Sequence, residues 1–346
     1  MGVYQKAGKS LSNRRLSQRE IAAAAGVSIS TVSRVLNHSD AISPDIRERV
    51  LIAASNLGYP LETKKLENIV LFRSPTIISA VAGQFEAGVI AGIEAECHDR
   101  GMRLMLINIE SDPDTSRFVL DTIKHNNRDG FIFLSQDNRA FLEEAHALSH
   151  RIVLINTDDK ELAIDTIIPD YATGATGAVR YLIQHGHRNI LHVASFLRST
   201  VKQRYTSYRA TLEEAGIAYD PALVLLLDGT LQVEVAYERM KVFLAGPHPS
   251  FSAVFCVNDA TAIGVMRVFQ EAGLSIPQDV SIIGFDDIGF VTFTNPPLTT
   301  IRIERAELGK LAVRRLLERV EEPDLPPIRI ELGCRLIERQ SVASIK

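Results

Sequence analysis

The chain has 346 residues, of which 46% are hydrophobic and 23% are charged. A chain of this length holds about two domains or more, and this composition excludes a disordered, fibrous or disulfide-rich protein. Its three cysteines are an odd number, and no apolar run approaches the ~18 residues of a membrane span. We therefore expect reduced thiols in a cytoplasmic protein without a membrane segment.

Charge is divided unevenly along the chain. The formal net charge is −4, but residues 1–67 hold ten Lys/Arg against six Asp/Glu, a net +4, which leaves −8 on the remaining 279 residues. A basic head on an acidic body suits one part that meets phosphate and one that does not, although solvated surfaces also reach +4. Residues 1–15 contain basic side chains but no apolar core of a signal peptide, so they are predicted to be a disordered basic arm.

Two short helices are predicted after this arm. Ser17, with Glu20 three residues later, is a capping box that begins the first, and Gly26 ends it in a left-handed conformation. Ser28 caps the second, whose inward face carries Val32, Val35 and Leu36. Such a pair is typical of a helix-turn-helix that places its second helix in the DNA major groove. On these residues alone, an ordinary αα-hairpin remains an equal alternative.

The residues from Ala25 to Asn37 decide between the two interpretations. Ala-Gly-Val-Ser-x-x-Thr-Val-Ser-Arg-Val-Leu-Asn resembles the DNA-binding signature of the LacI/GalR family of bacterial transcription regulators. The following residues 42–50 resemble the family's third helix, with Ser43 as cap and Pro44 at the first helical position. The resemblance implies a helix-turn-helix domain at 16–60 with these DNA-binding residues: Ser17, Ser28, Ile29, Ser30, Thr31, Ser33, Arg34 and Asn37. We expect Ile29, Ser30 and Arg34 to face base edges or adjacent phosphates.

From Ile69 onward, short apolar strands alternate with helices of ten or more residues. This alternation predicts parallel sheets with helices on both faces, and two successive cycles predict two lobes with a ligand crevice at the strand ends. The whole chain is therefore predicted as α/β, with an all-α head. The body, residues 69–346, resembles the periplasmic-binding-protein-like effector core of the same family. Lobe one is placed at about 69–166 and 299–322, and lobe two at about 167–298 and 323–346.

Four body residues are predicted to bind an effector. Arg204 matches the family's effector-contacting arginine, and Asn258 and Asp286 lie at strand ends. An arginine fork, an amide and a carboxylate in one crevice can bind a polyol, so we expect a sugar or derivative. Asn156 stands where many relatives carry Asp, and loop or cap hydrogen bonding is the alternative role for Asn258 and Asp286. The chain lacks Trp, so the replacement for the usual sugar-stacking ring is sought among Tyr171, Phe196, Phe290 and Phe293.

Other chemistry finds little support in the sequence. His185, His187 and His192 are close together, but no Cys or carboxylate completes a zinc set. Asp158–Asp159 and Asp286–Asp287 are adjacent pairs whose side chains should point apart, and the chain lacks a nucleophile elbow or phosphate loop. We therefore expect no cofactor, no metal and no enzymatic activity.

The linker is where the sequence departs from the family. Relatives usually carry about twenty residues there, including a hinge helix that wedges Leu into the minor groove. Here only residues 61–68 separate Pro60 from the strand at Ile69. A helix of two turns or fewer is marginal in water, so paired hinge helices are not predicted, and Leu66→Ala is expected to leave operator affinity nearly unchanged.

These observations predict a ligand-responsive transcription regulator that acts as a repressor. It should act as a cytoplasmic, nucleoid-associated homodimer on a palindromic double-stranded DNA operator, because one short helix offers few base contacts. The alternative is a solute-binding receptor with the same two-lobed body and no DNA role. The predicted head favours the regulator.

Overall fold

The computed structural model describes residues 17–36, 42–57, 59, 66–73, 83–109, 112–126 and 128–345. It divides into two compact units, Met1–Lys65 and Leu66–Lys346. Asn37, the basic arm and residues 61–65 of the linker lie outside the described residues, and with them the prediction about hinge helices. Within the described part of the chain, no helix is both long and apolar enough to span a bilayer.

Three helices form the first unit: α1 (Gln18–Ala25), α2 (Ile29–Leu36) and α3 (Pro44–Asn56). They share a small core that includes Ile21, Val32, Val35, Val50 and Ala54. Apolar residues at three- and four-residue spacing on each helix produce this core. Helix α3 begins at Pro44 as expected, but the Ser43 side chain makes no capping hydrogen bond, so the fixed φ of Pro44 supports the helix start without it.

The second unit contains two sheets with helices on both faces of each. The first sheet is parallel, in the order β11-β5-β4-β3-β1-β2. Its strands and associated helices are β1 (Asn68–Arg73), α4 (Gln84–Asp99), β2 (Arg103–Asn108), α5 (Pro113–His125), β3 (Asp129–Leu134), α6 (Arg139–Leu148), β4 (Ile152–Ile155), β5 (Asp165–Pro169), α11 (Arg305–Glu321) and β11 (Arg329–Leu332).

The second sheet has the order β12-β10-β9-β8-β6-β7, in which only β12 is antiparallel to its neighbour among the described strands. Its elements are α7 (Tyr171–Gln184), β6 (Ile190–Ala194), α8 (Ser199–Glu214), β7 (Val224–Leu226), α9 (Val233–Ala245), β8 (Ala253–Cys256), α10 (Asp259–Glu271), β9 (Ser281–Asp286), β10 (Thr299–Arg302) and β12 (Arg335–Ile337). Two lobes of this kind confirm the predicted α/β fold class.

The final strands are distributed differently from the prediction. Strand β10 was expected in lobe one but pairs with β9 of the second sheet, and β11 was expected in lobe two but pairs with β5 of the first. The chain therefore returns to the first lobe after Arg302, through helix α11, which packs on α4. A Cβ at Gly92 would lie 1.9 Å from the Ala306 carbonyl oxygen, so the α4–α11 contact requires glycine there. Local apolar pattern does not show which sheet a short strand joins.

Leu66 belongs to the body rather than to the linker. Its side chain is 2% exposed and lies in the same apolar core as Ile69 and Leu316. The backbone N–H of Glu67 donates to the Arg128 carbonyl, so the chain already follows the first sheet at this point. The predicted linker 61–68 thus loses its last three residues to the body, because burial of Leu66 removes apolar surface from water.

Candidate DNA-reading surface and effector crevice

The turn between α1 and α2 has the predicted geometry. The Ser17 backbone N–H donates to Glu20 Oε2 at 2.8 Å, and Gly26 has φ of +65°. The Ser28 hydroxyl accepts a hydrogen bond from the Thr31 backbone N–H at 3.0 Å and so caps α2. The second helix is therefore held by its cap and by the buried Val32 and Val35 on its inner face.

The outer face of α2 carries the predicted base-facing residues. Ser28, Ile29, Ser30 and Arg34 are exposed there, with Ile29 at 49%, which is high for an aliphatic side chain. Thr31 and Ser33 are half-buried, and Ser17 is exposed at the start of α1. An exposed face of small, apolar and guanidinium groups suits close approach to bases and phosphates. Asn37 lies outside the described residues.

Three of the four predicted effector residues lie where strands of the two sheets end, and the fourth, Arg204, lies in helix α8. Asn156 follows β4, Asn258 follows β8, and Asp286 is the last residue of β9. Among the described residues, the non-glycine residues with positive φ are all at such strand ends: Ser135, Asn156, Asp286 and Asp287. Backbone conformations of this kind are costly and concentrate at binding sites. The carboxyl ends of parallel strands are also where α/β proteins form their ligand crevices.

Arg204 is the most constrained of these residues. It is 4% exposed, and its guanidinium contacts two adjoining rings, 4.4 Å from the Tyr171 centroid and 4.3 Å from the Phe285 centroid. Its Nη1 donates to the Val257 carbonyl at 2.7 Å, and its Nη2 lies 3.6 Å from Asp286 Oδ1. The Nε–H of Arg204 and Oδ1 of Asp286 have no hydrogen-bond partner among the described residues. One donor of Arg204 and one acceptor of Asp286 are therefore buried without a hydrogen bond.

Burial raises the pKa of Asp286 to about 6, against the lowering effects of Arg204 and Arg305. Asn258 has a different role: its Oδ1 accepts the Thr261 backbone N–H at 2.8 Å and caps α10. The side-chain oxygen of Asn258 therefore has the helix-capping role that was the alternative to effector binding. This residue still borders the site, because the preceding Val257 carbonyl holds Arg204.

Asn156 faces the second lobe through a short hydrogen-bond chain. Its Nδ2 donates to the Ser135 hydroxyl at 2.8 Å, and its Oδ1 accepts from the Tyr171 hydroxyl at 2.6 Å. Tyr171 is buried, so it serves as a support for Arg204 and Asn156 rather than as a free stacking ring. Phe196 and Phe290 are half exposed, and Phe293 is 86% exposed.

Several hydrogen bonds between the two lobes were not predicted from the sequence. Arg198, just before α8 in the second lobe, donates to both carboxylate oxygens of Asp137 in the first, at 2.5 and 2.9 Å. It also donates to the Asn156 carbonyl at 2.6 Å. The Gly289 backbone N–H donates to Gln84 Oε1 at 2.8 Å. The partners are 42 to 205 positions apart, so no local sequence signal could have paired them.

The structure does not support the metal site or the paired-carboxylate site considered from the sequence. His187 contacts the Ser252 hydroxyl and the Ala343 carbonyl, and burial lowers the pKa of His192 to about 4. Among the described residues, no three His, Cys, Asp or Glu side chains are arranged to hold a metal ion. The adjacent carboxylates have separate partners: Asp287 pairs with Arg302 and Arg339, whereas Asp286 faces Arg204.

A helix-turn-helix unit and a two-lobed body define a class, that of DNA-binding regulators with an effector domain. Residues 18–60 match the bacterial regulatory proteins of the lacI family, and residues 179–342 match a periplasmic binding protein-like domain. The ribose operon repressor of Haemophilus influenzae is 33% identical over 337 residues, covering 95% of this chain and 99% of that protein. The chain belongs to the LacI family of bacterial regulatory proteins.

Solved structures agree with this placement. A complex of the transcriptional regulator CelR with cellobiose has a TM-score of 0.72 and 27% identity, covering 94% of this chain and 100% of that one. A LacI family transcriptional regulator from Enterococcus faecium with bound ribose has a TM-score of 0.70 and 26% identity, covering 80% of this chain and 100% of that one. The chain is therefore a DNA-binding transcription regulator of the repressor kind, and the receptor alternative is set aside.

Proposed function

We propose that this regulator binds a small neutral sugar in its crevice and, as a homodimer, a palindromic operator through α2. The observation that supports effector binding is that two buried atoms, the Arg204 Nε–H and Asp286 Oδ1, have no hydrogen-bond partner among the described residues. An unmade hydrogen bond in a buried site costs about 1–3 kcal/mol, so a ligand that supplies the missing partners is favoured. A sugar hydroxyl both donates and accepts, and neighbouring hydroxyls can serve both atoms.

Charge supports a neutral effector. Arg198 already pairs with Asp137, and Arg204 faces Asp286. A phosphate or carboxylate would have to displace one of these carboxylates or lie beside it, at the cost of like-charge repulsion in a site of low dielectric. An uncharged polyol avoids this cost. The sugars named for two similar proteins, the ribose operon repressor and the ribose-bound regulator, make D-ribose the first compound to test.

The DNA part of the proposal rests on the exposed outer face of α2. Ile29 and Arg34 project from a helix whose other face is fully used in the head core. A single short helix contacts few base pairs, so two heads on two half-sites supply the affinity that specific binding requires. We assign the dimer contact to edge strand β2, where Met105 and Leu106 are 41% and 50% exposed, because a bare apolar edge strand is otherwise prone to aggregation.

Isothermal titration calorimetry of the full chain tests the effector. D-ribose, D-glucose, cellobiose, adenosine and D-ribose 5-phosphate form the panel. We expect a neutral sugar to bind with saturable heat, and ribose 5-phosphate to bind more weakly than ribose. Tighter binding of the phosphate than of every neutral sugar would contradict a neutral effector, and heat from none of the five would remove the support for a sugar effector.

Sedimentation velocity at micromolar concentration tests the dimer. A dimer that becomes a monomer in Leu106→Glu agrees with the assignment to β2. A wild-type chain that sediments as a monomer contradicts the homodimer, and a dimeric Leu106→Glu variant contradicts the assigned surface.

A further inference from the structure

Tyr171 stands at the place where the chain first passes between the two lobes. Strand β5 of the first sheet ends at Pro169, and Tyr171 is the first residue of α7, which packs on α8 and on the second sheet. Its side chain is 2% exposed, and burial raises the pKa of its phenol, so the hydroxyl keeps its proton at neutral pH. A buried hydroxyl must donate that proton to an acceptor.

The acceptor is the side-chain oxygen of Asn156, 2.6 Å from the Tyr171 hydroxyl. This bond fixes which end of the Asn156 amide is the oxygen, because the phenol must donate and an amide NH2 group cannot accept. The Asn156 nitrogen therefore points the other way and donates one hydrogen to the Ser135 hydroxyl at 2.8 Å. The nitrogen carries a second hydrogen, for which the described residues show no acceptor.

The ring of the same tyrosine acts on the other lobe. The Arg204 guanidinium lies 4.4 Å from the Tyr171 centroid and 4.3 Å from the Phe285 centroid, and the two ring centroids are 5.9 Å apart. Cation–π contact with two adjoining rings restrains a guanidinium without using its N–H donors. One side chain thus touches an effector residue of each lobe, at its hydroxyl and at its ring.

We propose that Tyr171 is a positioning residue of the crevice, which fixes the Asn156 amide as a hydrogen-bond donor in one lobe and holds the Arg204 guanidinium in the other. This inference rests on the proposed effector crevice. It assigns Asn156 a role opposite to that of a carboxylate at the same place: the amide gives a hydrogen bond to an oxygen of the effector instead of accepting one.

The first arm of the test needs no ligand. The full chain is labelled with ¹⁵N-asparagine, and the Asn156 side-chain amide signal is identified by its loss in Asn156→Asp. In Tyr171→Phe we expect that signal to shift and its hydrogen exchange to become at least about tenfold faster, because the bond that fixes the amide is gone. The matched control is Tyr208→Phe, which removes another buried hydroxyl, bonded to the Ile190 carbonyl, and should leave the Asn156 signal unchanged.

The second arm measures D-ribose binding to the same variants by calorimetry. We expect Tyr171→Phe to weaken binding by roughly tenfold, the loss of one oriented hydrogen bond, and Tyr208→Phe to bind within about twofold of wild type. Tyr171→Leu removes the ring as well and should weaken binding further, with circular dichroism confirming that the variant is folded.

The outcomes separate this inference from the proposed function. An unchanged Asn156 signal in Tyr171→Phe overturns the positioning role, whatever ribose does. Equal ribose affinity of Tyr171→Phe and wild type overturns it as well. If wild type binds no ribose, the proposed effector fails, while the amide signal still decides what Tyr171 does.

Discussion

The guanidinium of Arg198 in the second lobe donates two hydrogen bonds, of 2.5 and 2.9 Å, to the carboxylate of Asp137 in the first. The same guanidinium reaches the carbonyl of Asn156, whose side chain is bonded to Tyr171. This cross-lobe ion pair therefore adjoins the predicted effector residues, and its rupture accompanies any opening of the crevice at this point.

Breaking the Arg198–Asp137 pair should speed both entry and exit of the effector, because each requires the lobes to part. A partly exposed ion pair contributes about 0.2–1 kcal/mol, so we expect Arg198→Gln to raise the D-ribose association and dissociation rates by up to about fivefold. Stopped-flow kinetics measures both rates. Arg180→Gln is the control, since it removes an exposed ion pair with Glu214 between α7 and α8 of the second lobe. Equal rates in Arg198→Gln and wild type would exclude this role.

Replacing Arg204 should weaken effector binding without unfolding the body. In Arg204→Ala we expect a loss of about 1–3 kcal/mol in D-ribose affinity, since Asp286 is left without its cation and the effector without a donor. Arg209→Ala is the matched control on the same helix, where the side chain is exposed and pairs with Glu213. Calorimetry gives the affinities and thermal melting gives the stabilities. Unchanged affinity in Arg204→Ala would remove this residue from the site.

Asp286 should make both stability and effector binding depend on pH. Its pKa in the folded chain is raised from 3.8 to about 6, so the folded state binds this proton more tightly than the unfolded state does. The resulting stability is full below about pH 4 and is lost as pH rises through about 6. An effector hydroxyl that donates to the carboxylate favours its ionised form, so D-ribose affinity should fall as pH drops from about 7.5 to about 5. Asp286→Asn should bind weakly and show a flatter profile; an identical profile in this variant contradicts the assignment.

Arg34 should contribute to operator recognition. We expect Arg34→Ala to lose about 1–3 kcal/mol in operator affinity and to relax base preference at one position per half-site, if the guanidinium contacts a base edge. Fluorescence anisotropy over a salt series measures the affinity, and a non-operator duplex shows the loss that phosphate contact alone explains. Equal operator affinity of variant and wild type at every salt concentration would remove Arg34 from the reading surface.

Leu66 should matter for the stability of the body. Truncating a buried leucine costs about 2–5 kcal/mol, so Leu66→Ala should lower the melting temperature of the body. Leu148→Ala, at a position 41% exposed on α6, is the control and should melt close to wild type. Operator affinity at a temperature where the variant is folded should be nearly unchanged. A variant that melts like wild type but loses operator affinity would contradict this account and indicate that Leu66 contacts DNA.

Much of the fold could be predicted because most buried strands are continuous apolar runs, as in Phe131–Leu134 or Ala253–Cys256. Strand β5 was missed, since it begins with Asp165 and ends with Pro169. Asp165 is 1% exposed and bonds to Arg319 of α11, 154 positions later, and a charge neutralised from so far away leaves no local signal.

The candidate effector residues were predicted from family resemblance rather than from local pattern. Arg204 and Asp286 were predicted in one crevice and face each other there. Tyr171 was considered only as a stacking ring, because its bond to Asn156 and its contact with Arg204 depend on how the lobes meet. Such relationships arise from tertiary packing, which periodicity does not encode.

The central claim is that a sugar in the crevice controls DNA binding. Operator affinity of the full chain, measured by fluorescence anisotropy on a duplex selected from random sequence, tests it with and without saturating D-ribose. We expect ribose to change the operator Kd at least about fivefold in wild type and to change it less in Arg204→Ala at a ribose concentration that only just saturates wild type. Equal Kd values with and without ribose, in a wild-type chain that binds ribose by calorimetry, would contradict the account.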